Sequence, residues 1–142
     1  MSQDTSLFER ASAEIIAFHE FFVGWYDAAT AELTDVGRCE QVFGEGFQMI
    51  PPTGRVYDRA ATIALIRDNR ASFDRDFSID IEDIRAGFET EDAIVMTYVE
   101  IQCRRGVWSR RQASALFTTS SSAPWGVQWR HLQETWLQTP ET

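Results

Sequence analysis

Between Leu7 and Leu33 the apolar side chains recur at Phe8, Ala11, Ile15, Phe18, Phe22, Trp25, Tyr26, Ala29 and Leu33. Steps of three and four draw one stripe along a helix. The pattern therefore predicts a long amphipathic helix with Thr5 or Ser6 as its N-cap and Glu9 in the first turn. At Thr34-Asp35 the period breaks, and Asp35 can cap a short helix over 36–43 that Gly44 and Gly46 end. Phe47-Gln-Met-Ile50 reads as a short strand closed by Pro51-Pro52-Thr53-Gly54, because proline donates nothing to a ladder. Asp58 then caps a further helix to about Asn69.

From Phe77 onward the period is two. Apolar residues sit at 77, 79 and 81 and resume at 84, 86 and 88, so parity flips at Glu82-Asp83. One inserted residue does this in a β-bulge, which bends and twists a strand, and the expected result is a strongly curved sheet forming one wall of a cup. Segments 93–103, 108–119 and 127–138 complete a meander separated by Gly- or Ser-bearing turns. Helices first and a meander afterwards is the order of an α+β domain whose helices cover one face of an antiparallel sheet. A single domain over 1–142, with its core at about 6–137, is expected. A sheet that only closes a core alternates apolar inside with polar outside. Here Tyr98, Glu100, Arg110, Arg111, Gln112, His131, Gln133 and Glu134 stand beside large apolar residues, which points to a partly polar cavity.

Composition narrows the function classes. No segment approaches the roughly 20 apolar residues of a membrane span, and Met1-Ser-Gln-Asp-Thr-Ser has no basic stretch followed by an apolar run. A cytoplasmic protein without a membrane partner is expected. The net charge is −9, with 22 acidic and 13 basic residues, whereas a nucleic-acid binder carries a basic excess. Arg104-Arg105 and Arg110-Arg111 flank a hairpin turn and read as a solvated strand end that protects an edge. Cys39 and Cys103 belong to no CxxC pattern, so they read as buried small hydrophobes rather than a disulfide framework. With His19 and His131 the only histidines, no pair has metal-ligand spacing, and no metal is expected. Neither GxGxxG nor a P-loop, nucleophile elbow or metalloprotease motif occurs, leaving cofactor-independent action or simple binding.

Several motifs in order carry a family resemblance: Phe47-Gln-Met-Ile-Pro-Pro-Thr-Gly54 followed by Tyr57-Asp-Arg59, Tyr98-Val-Glu-Ile-Gln102, Arg110-Arg-Gln-Ala-Ser-Ala-Leu-Phe117, and Trp129-Arg-His-Leu-Gln-Glu-Thr-Trp-Leu137. Over about Ser6 to Leu137 the chain resembles the NTF2-like superfamily, and more closely its SnoaL-like and DUF4440-type bacterial members. The resemblance implies a cystatin-like α+β cone, with a long N-terminal helix and short helices packed on a curved antiparallel sheet. It also implies a homodimer and a pocket between helix and sheet. Isomerases, cyclases, dehydratases and transport adaptors share that fold, so it does not choose a reaction. Members often end His-x-His-Glu-Thr-Trp, where this chain has Gln133 in place of the second histidine. The ketosteroid isomerase branch works by a known carboxylate base and Tyr/Asp oxyanion pair. Pro51-Pro52, Phe22 and Ala115 occupy the corresponding places here, so those residues are absent.

Candidate chemistry follows from strand pairing. A two- or four-residue loop centred on Arg104-Arg105-Gly106-Val107 pairs residues so that Glu100 faces Arg111 and Tyr98 faces Ala113, which predicts a Glu100–Arg111 ion pair. An odd loop would bring Glu100 toward Arg110 or Gln112 instead. One reading makes Glu100 a general acid or base held by Arg111, His131 its proton-transfer partner and Tyr98 a donor to an oxyanion. The competing reading is a structural pair, since a neighbouring arginine lowers a carboxylate's pKa and makes it a poorer base. Arg111 then serves better as a ligand anchor. Strict alternation sets Trp129, His131, Gln133 and Thr135 on one face and Glu134 on the other, toward a dimer contact. His19, at the edge of the helical stripe, is assigned no site. Trp25, Tyr57 and Trp129 are expected as aromatic lining. The leading expectation is a small-molecule-binding homodimer, its pocket polar at Tyr98, Glu100, Arg111, His131 and Gln133, for a largely apolar ligand with one polar or anionic group. The alternatives are a cofactor-free isomerase, cyclase or dehydratase, and an interaction module without a ligand.

Overall fold

The computed structural model describes residues 5–72 and 77–137. Helix α1 (Leu7–Tyr26) starts at a capping box, in which Ser6 Oγ accepts the Glu9 N–H at 3.0 Å and Glu9 Oε1 accepts the Ser6 N–H at 3.1 Å. Two orphan donors are satisfied there at once. The helix stops before its apolar stripe does. Asp27 Oδ1 takes the Ala29 N–H at 2.8 Å, a local alternative to continuing the helix, and the last stripe member, Leu33, falls exposed in a 3₁₀ turn over Ala31–Leu33.

Asp35 Oδ1 accepts the Gly37 N–H ahead of α2 (Gly37–Val42). Strand β1 follows immediately over Phe43–Ile50. Gly44 and Gly46 therefore lie inside a strand instead of ending a helix. Its register slips between Phe43 and Gln48, and a Cβ on Gly44 would come 2.6 Å from Arg130 Cδ. Glycine at this position leaves room for the Arg130 side chain to lie across the strand. After β2 (Tyr57–Asp58), helix α3 (Arg59–Asp68) is capped by Asp58, whose Oδ1 accepts the Ala61 N–H at 2.8 Å.

Strands β3 (Ser78–Glu89), β4 (Ala93–Arg104), β5 (Val107–Thr119) and β6 (Val127–Trp136) form the meander, in a sheet ordered β2-β1-β6-β5-β4-β3. The sheet is mixed, because β1 pairs parallel with β6. Those two strands are not hairpin neighbours, so no tight turn imposes antiparallel pairing on them. In β3 the bulge lies at the parity flip: Asp83 has φ +54° and the register shifts between Glu82 and Arg85. Arg105-Gly106, with φ +54° and +80°, makes the two-residue turn between β4 and β5. This is a primed-type hairpin, and it sets Glu100 opposite Arg111 and Tyr98 opposite Ala113.

The meander holds a second slip, between β5 and β6. Phe117 pairs with Trp129, but Leu116 pairs with His131, so Arg130 is an extra residue in β6. Beyond it every side chain changes face. Leu132 and Glu134 turn inward and are buried; His131, Gln133 and Thr135 go to the opposite face.

The core lies between α1 and the inner sheet face, with Ile15 and Phe18 over Met96, Tyr98, Ala115, Phe117 and Trp129. Glu14 is fully buried within it. Arg38 grips it with Nη2 at 2.7 Å and Nη1 at 2.9 Å, and Trp129 Nε1 donates to it at 2.8 Å. Burial pushes the Glu14 carboxyl up, against the pull of Arg38. The cluster pins α1, α2 and β6 together. Cys39 is buried and Cys103 half-buried, both as free thiols.

Candidate functional site

A hollow of about 430 Å³ opens between α1, α3 and the concave sheet. Its walls are mostly hydrocarbon and aromatic, including Phe18, Phe22, Phe47, Met49, Ile66 and Leu132, while His19, Glu100, Arg104, Arg111 and Glu134 supply its charged groups and Asn69 and Gln102 its amides. Ala113 and Ala115 are small residues on the inner face of β5, which keeps bulk off the floor of the cup.

The polar groups form two pairs. His19 Nε2 lies 3.1 Å from Glu100 Oε1, both side chains are about 4% exposed, and His19 Nδ1 lies 2.7 Å from the Ile15 carbonyl. The carbonyl can only accept, so Nδ1 carries a proton. That bond, one helical turn back, orients the ring toward β4. Gln102 donates to the second oxygen of Glu100. Across the sheet Arg111 Nη1 donates to Glu134 Oε1 at 3.0 Å, and its guanidinium lies 4.7 Å from the Trp136 ring centroid. The pairing thus differs from the Glu100–Arg111 bridge expected from register. The β6 bulge delivers Glu134 to Arg111, and α1 delivers His19 to Glu100.

These environments drive two carboxyls apart. Burial alone pushes Glu100 up, but the charge and hydrogen bond of His19, then Gln102 and Arg111, hold it at about 2. Burial lowers His19, yet the Glu100 carboxylate outweighs this and leaves the imidazole raised, favouring the protonated ring. For Glu134, burial and the neighbouring Glu100 charge raise the carboxyl to about 7 against the opposing pull of Arg111. Tyr98 is pushed well up by burial and by Glu100, so its hydroxyl keeps its proton.

Of the candidate residues, Glu100, Arg111 and Tyr57 line the hollow. Tyr98 is fully buried beside it, its ring centroid 5.6 Å from that of His19. Trp25 is spent on the helix interface, where its Nε1 donates to the Ile66 carbonyl at 2.8 Å. Trp129 is committed to Glu14. His131 and Gln133 stand on the outer face with Leu116 and Ser114 as their partners, and no geometry joins His131 to Glu100. Sequence reasoning passed over His19, Glu134 and Gln102. The apolar order Val127, Trp129, Leu132 carries the same parity flip that reveals the bulge in β3, and would have turned Glu134 inward. For His19 the available signal was a titratable ring among Ile15, Phe18 and Phe22 on a buried stripe.

No protein-family profile and no curated protein matches the sequence. Solved structures do. An NTF2-like protein of unknown function from Pseudomonas aeruginosa is 24% identical and superposes with a TM-score of 0.80, over 91% of this chain and 99% of that one. An uncharacterised protein with a cystatin-like fold from Caulobacter vibrioides is 12% identical at a TM-score of 0.68, over 91% and 88%. A putative calcium/calmodulin-dependent kinase II association domain from Exiguobacterium sibiricum is 13% identical at 0.64, over 99% and 100%. The chain has the NTF2-like, cystatin-like fold. Among the described residues no helix is long and apolar enough to cross a membrane.

Proposed function

We propose that the hollow binds a small, largely apolar molecule through one polar group set against His19, Glu100, Gln102, Arg111 and Glu134. The His19–Glu100 ion pair carries this reading. A buried ion pair is often no more stable than hydrocarbon of the same volume, so charges in the wall of a hollow sized for small ligands argue for recognition. A thermal-shift screen of fragment-sized ring compounds tests it. A ligand at 100 times its Kd adds about 2.7 kcal/mol to the wild type, while Leu132→Trp, which fills the hollow, should remove the shift. If no compound distinguishes the two proteins, the reading fails.

A second reading is favoured by one observation: two carboxyls in one hollow, Glu134 near 7 and Glu100 near 2. Such divergence is the usual mark of assigned acid and base roles. In a cofactor-free isomerase, cyclase or dehydratase these roles fall to Glu134, Glu100 and His19, and not to His131. Glu134→Gln would then abolish turnover of a bound substrate while preserving its affinity; retained turnover rejects the enzyme.

The outer sheet face supports a homodimer. Val95, Ile101 and Leu116 lie there, half-buried, and an association domain is among the structural neighbours. Sedimentation equilibrium should give twice the 16.3 kDa chain mass, and Ile101→Glu should return the monomer. A wild-type monomer at micromolar concentration excludes this assembly.

A further inference from the structure

We infer that the polar group this hollow accepts is a carboxylate, which makes the ligand an apolar monocarboxylic acid; the inference rests on the ligand-binding reading above and narrows it. The starting observation is a pair of unmatched donors. Arg111 Nε and the Tyr98 hydroxyl are both buried without a hydrogen-bond partner among the described residues. A guanidinium N–H only donates, so what it lacks is an acceptor. Tyr98 pairs with Ala113 and Glu100 with Arg111, which makes Tyr98 and Arg111 diagonal neighbours on one face, within reach of a common group.

Charge selects among acceptors. Glu100 and a protonated His19 cancel, and Arg111 faces Glu134, whose carboxyl is held near 7 by burial, by Glu100 and by the incomplete pull of Arg111. Once Glu134 holds its proton the set has one uncompensated positive charge, that of Arg111. An amine would meet His19 and Arg111 as like charges. A neutral carbonyl offers one acceptor oxygen, whereas a carboxylate offers two in the geometry of a guanidinium fork. The groups facing Glu134 are Arg111 on β5, Glu100 and Tyr98 on β4, and His19 on α1. Arg111 and His19 favour the ionised carboxylate and Glu100 the protonated one, so an anion set against Arg111 weakens the pull on Glu134 and promotes its proton uptake. The remaining walls, Phe18, Phe22, Phe47, Met49, Ile66 and Leu132, require that the acid carry a hydrocarbon body.

Matched probes test this on the full chain by titration calorimetry: phenylacetate, 4-phenylbutyrate, 1-naphthoate and octanoate, each beside its primary amide and its amine. At pH 6 at least one acid should bind at least tenfold tighter than its amide and amine. Because binding takes up a proton at Glu134, its affinity should fall about tenfold at pH 8. Tyr98→Phe should weaken the acid more than the amide, and Arg111→Gln should erase the preference for the acid. Removing Arg111 also strips Glu134 of its counter-ion, so if that variant does not fold, the wild-type series and Tyr98→Phe decide. Amides that bind as tightly as acids, a flat pH dependence, or no acid binding at all would overturn the carboxylate inference. The hollow itself remains a ligand site unless the fragment screen also gives no shift that Leu132→Trp removes.

Discussion

Glu100→Ala should melt roughly 10–20 °C below the wild type at pH 7, a loss of about 3–5 kcal/mol for a domain of this size. The loss comes from the partner left behind. His19 is 4% exposed, so without the carboxylate it either stays charged in a poorly solvating site or gives up its proton and buries an unmatched Nε2. The double substitution His19→Leu with Glu100→Met should recover most of the loss, because neither member then remains unpaired. Chemical denaturation of wild type, His19→Leu, Glu100→Met and the double variant measures the coupling as a double-mutant cycle. A single substitution costing less than about 1 kcal/mol would mean that the pair is solvated and not a desolvated unit.

The pair also predicts a pH window. Glu100 is lowered in the folded state to about 2, so its contribution is complete above its ordinary value near 4.3 and is lost as pH falls through 2. His19 is raised, so its contribution is complete below about 6.5 and is lost as pH climbs through the raised value. Their joint stabilisation should therefore be largest between roughly pH 4.5 and 6.5. In the double variant this part of the stability–pH profile should flatten.

The second large effect has the opposite sign. Glu134 is raised to about 7, so between about 4.5 and 7 the folded state binds a proton that the unfolded chain has released, and stability declines as pH rises. The accumulated penalty is about 3 kcal/mol by pH 8. Glu134→Gln keeps a neutral group of the same shape, as the protonated acid already is at pH 5. Its stability should be close to wild type at pH 5 and exceed it by about 3 kcal/mol at pH 8. The difference between urea midpoints at the two pH values measures this. Equal midpoints at pH 8 would show Glu134 ionised at little cost, with Arg111 a sufficient counter-ion. If the hollow takes an acid as proposed, the stability gained should coincide with lost proton-coupled binding.

Much of the framework was legible because its signals are local. Ser6 and Asp58 cap helices through their own oxygens, the parity of Ile79, Ile81, Ile84 and Ala86 locates the β3 bulge, and Arg105-Gly106 sets the hairpin register that faces Glu100 to Arg111. The helix end was harder to place, since Asp27 competes for the backbone at a point where the apolar stripe continues. In β6 the flip from Trp129 to Leu132 was present but masked by the polar residues between them. Missing it placed His131 and Gln133 inside and Glu134 outside.

Local chemistry along the chain thus determined the elements, their order, the curvature of the sheet and the facing of Glu100 to Arg111. Only the tertiary structure decided which charges meet, because a side chain's partner depends on what is packed over it. Glu100 lies beneath helix α1, 81 positions away from His19, and no spacing within the sheet encodes that contact. Arg111 takes Glu134 because one extra residue rotates the end of β6. Burial then sets the protonation of each group, and burial belongs to the assembled layers, not to any segment alone.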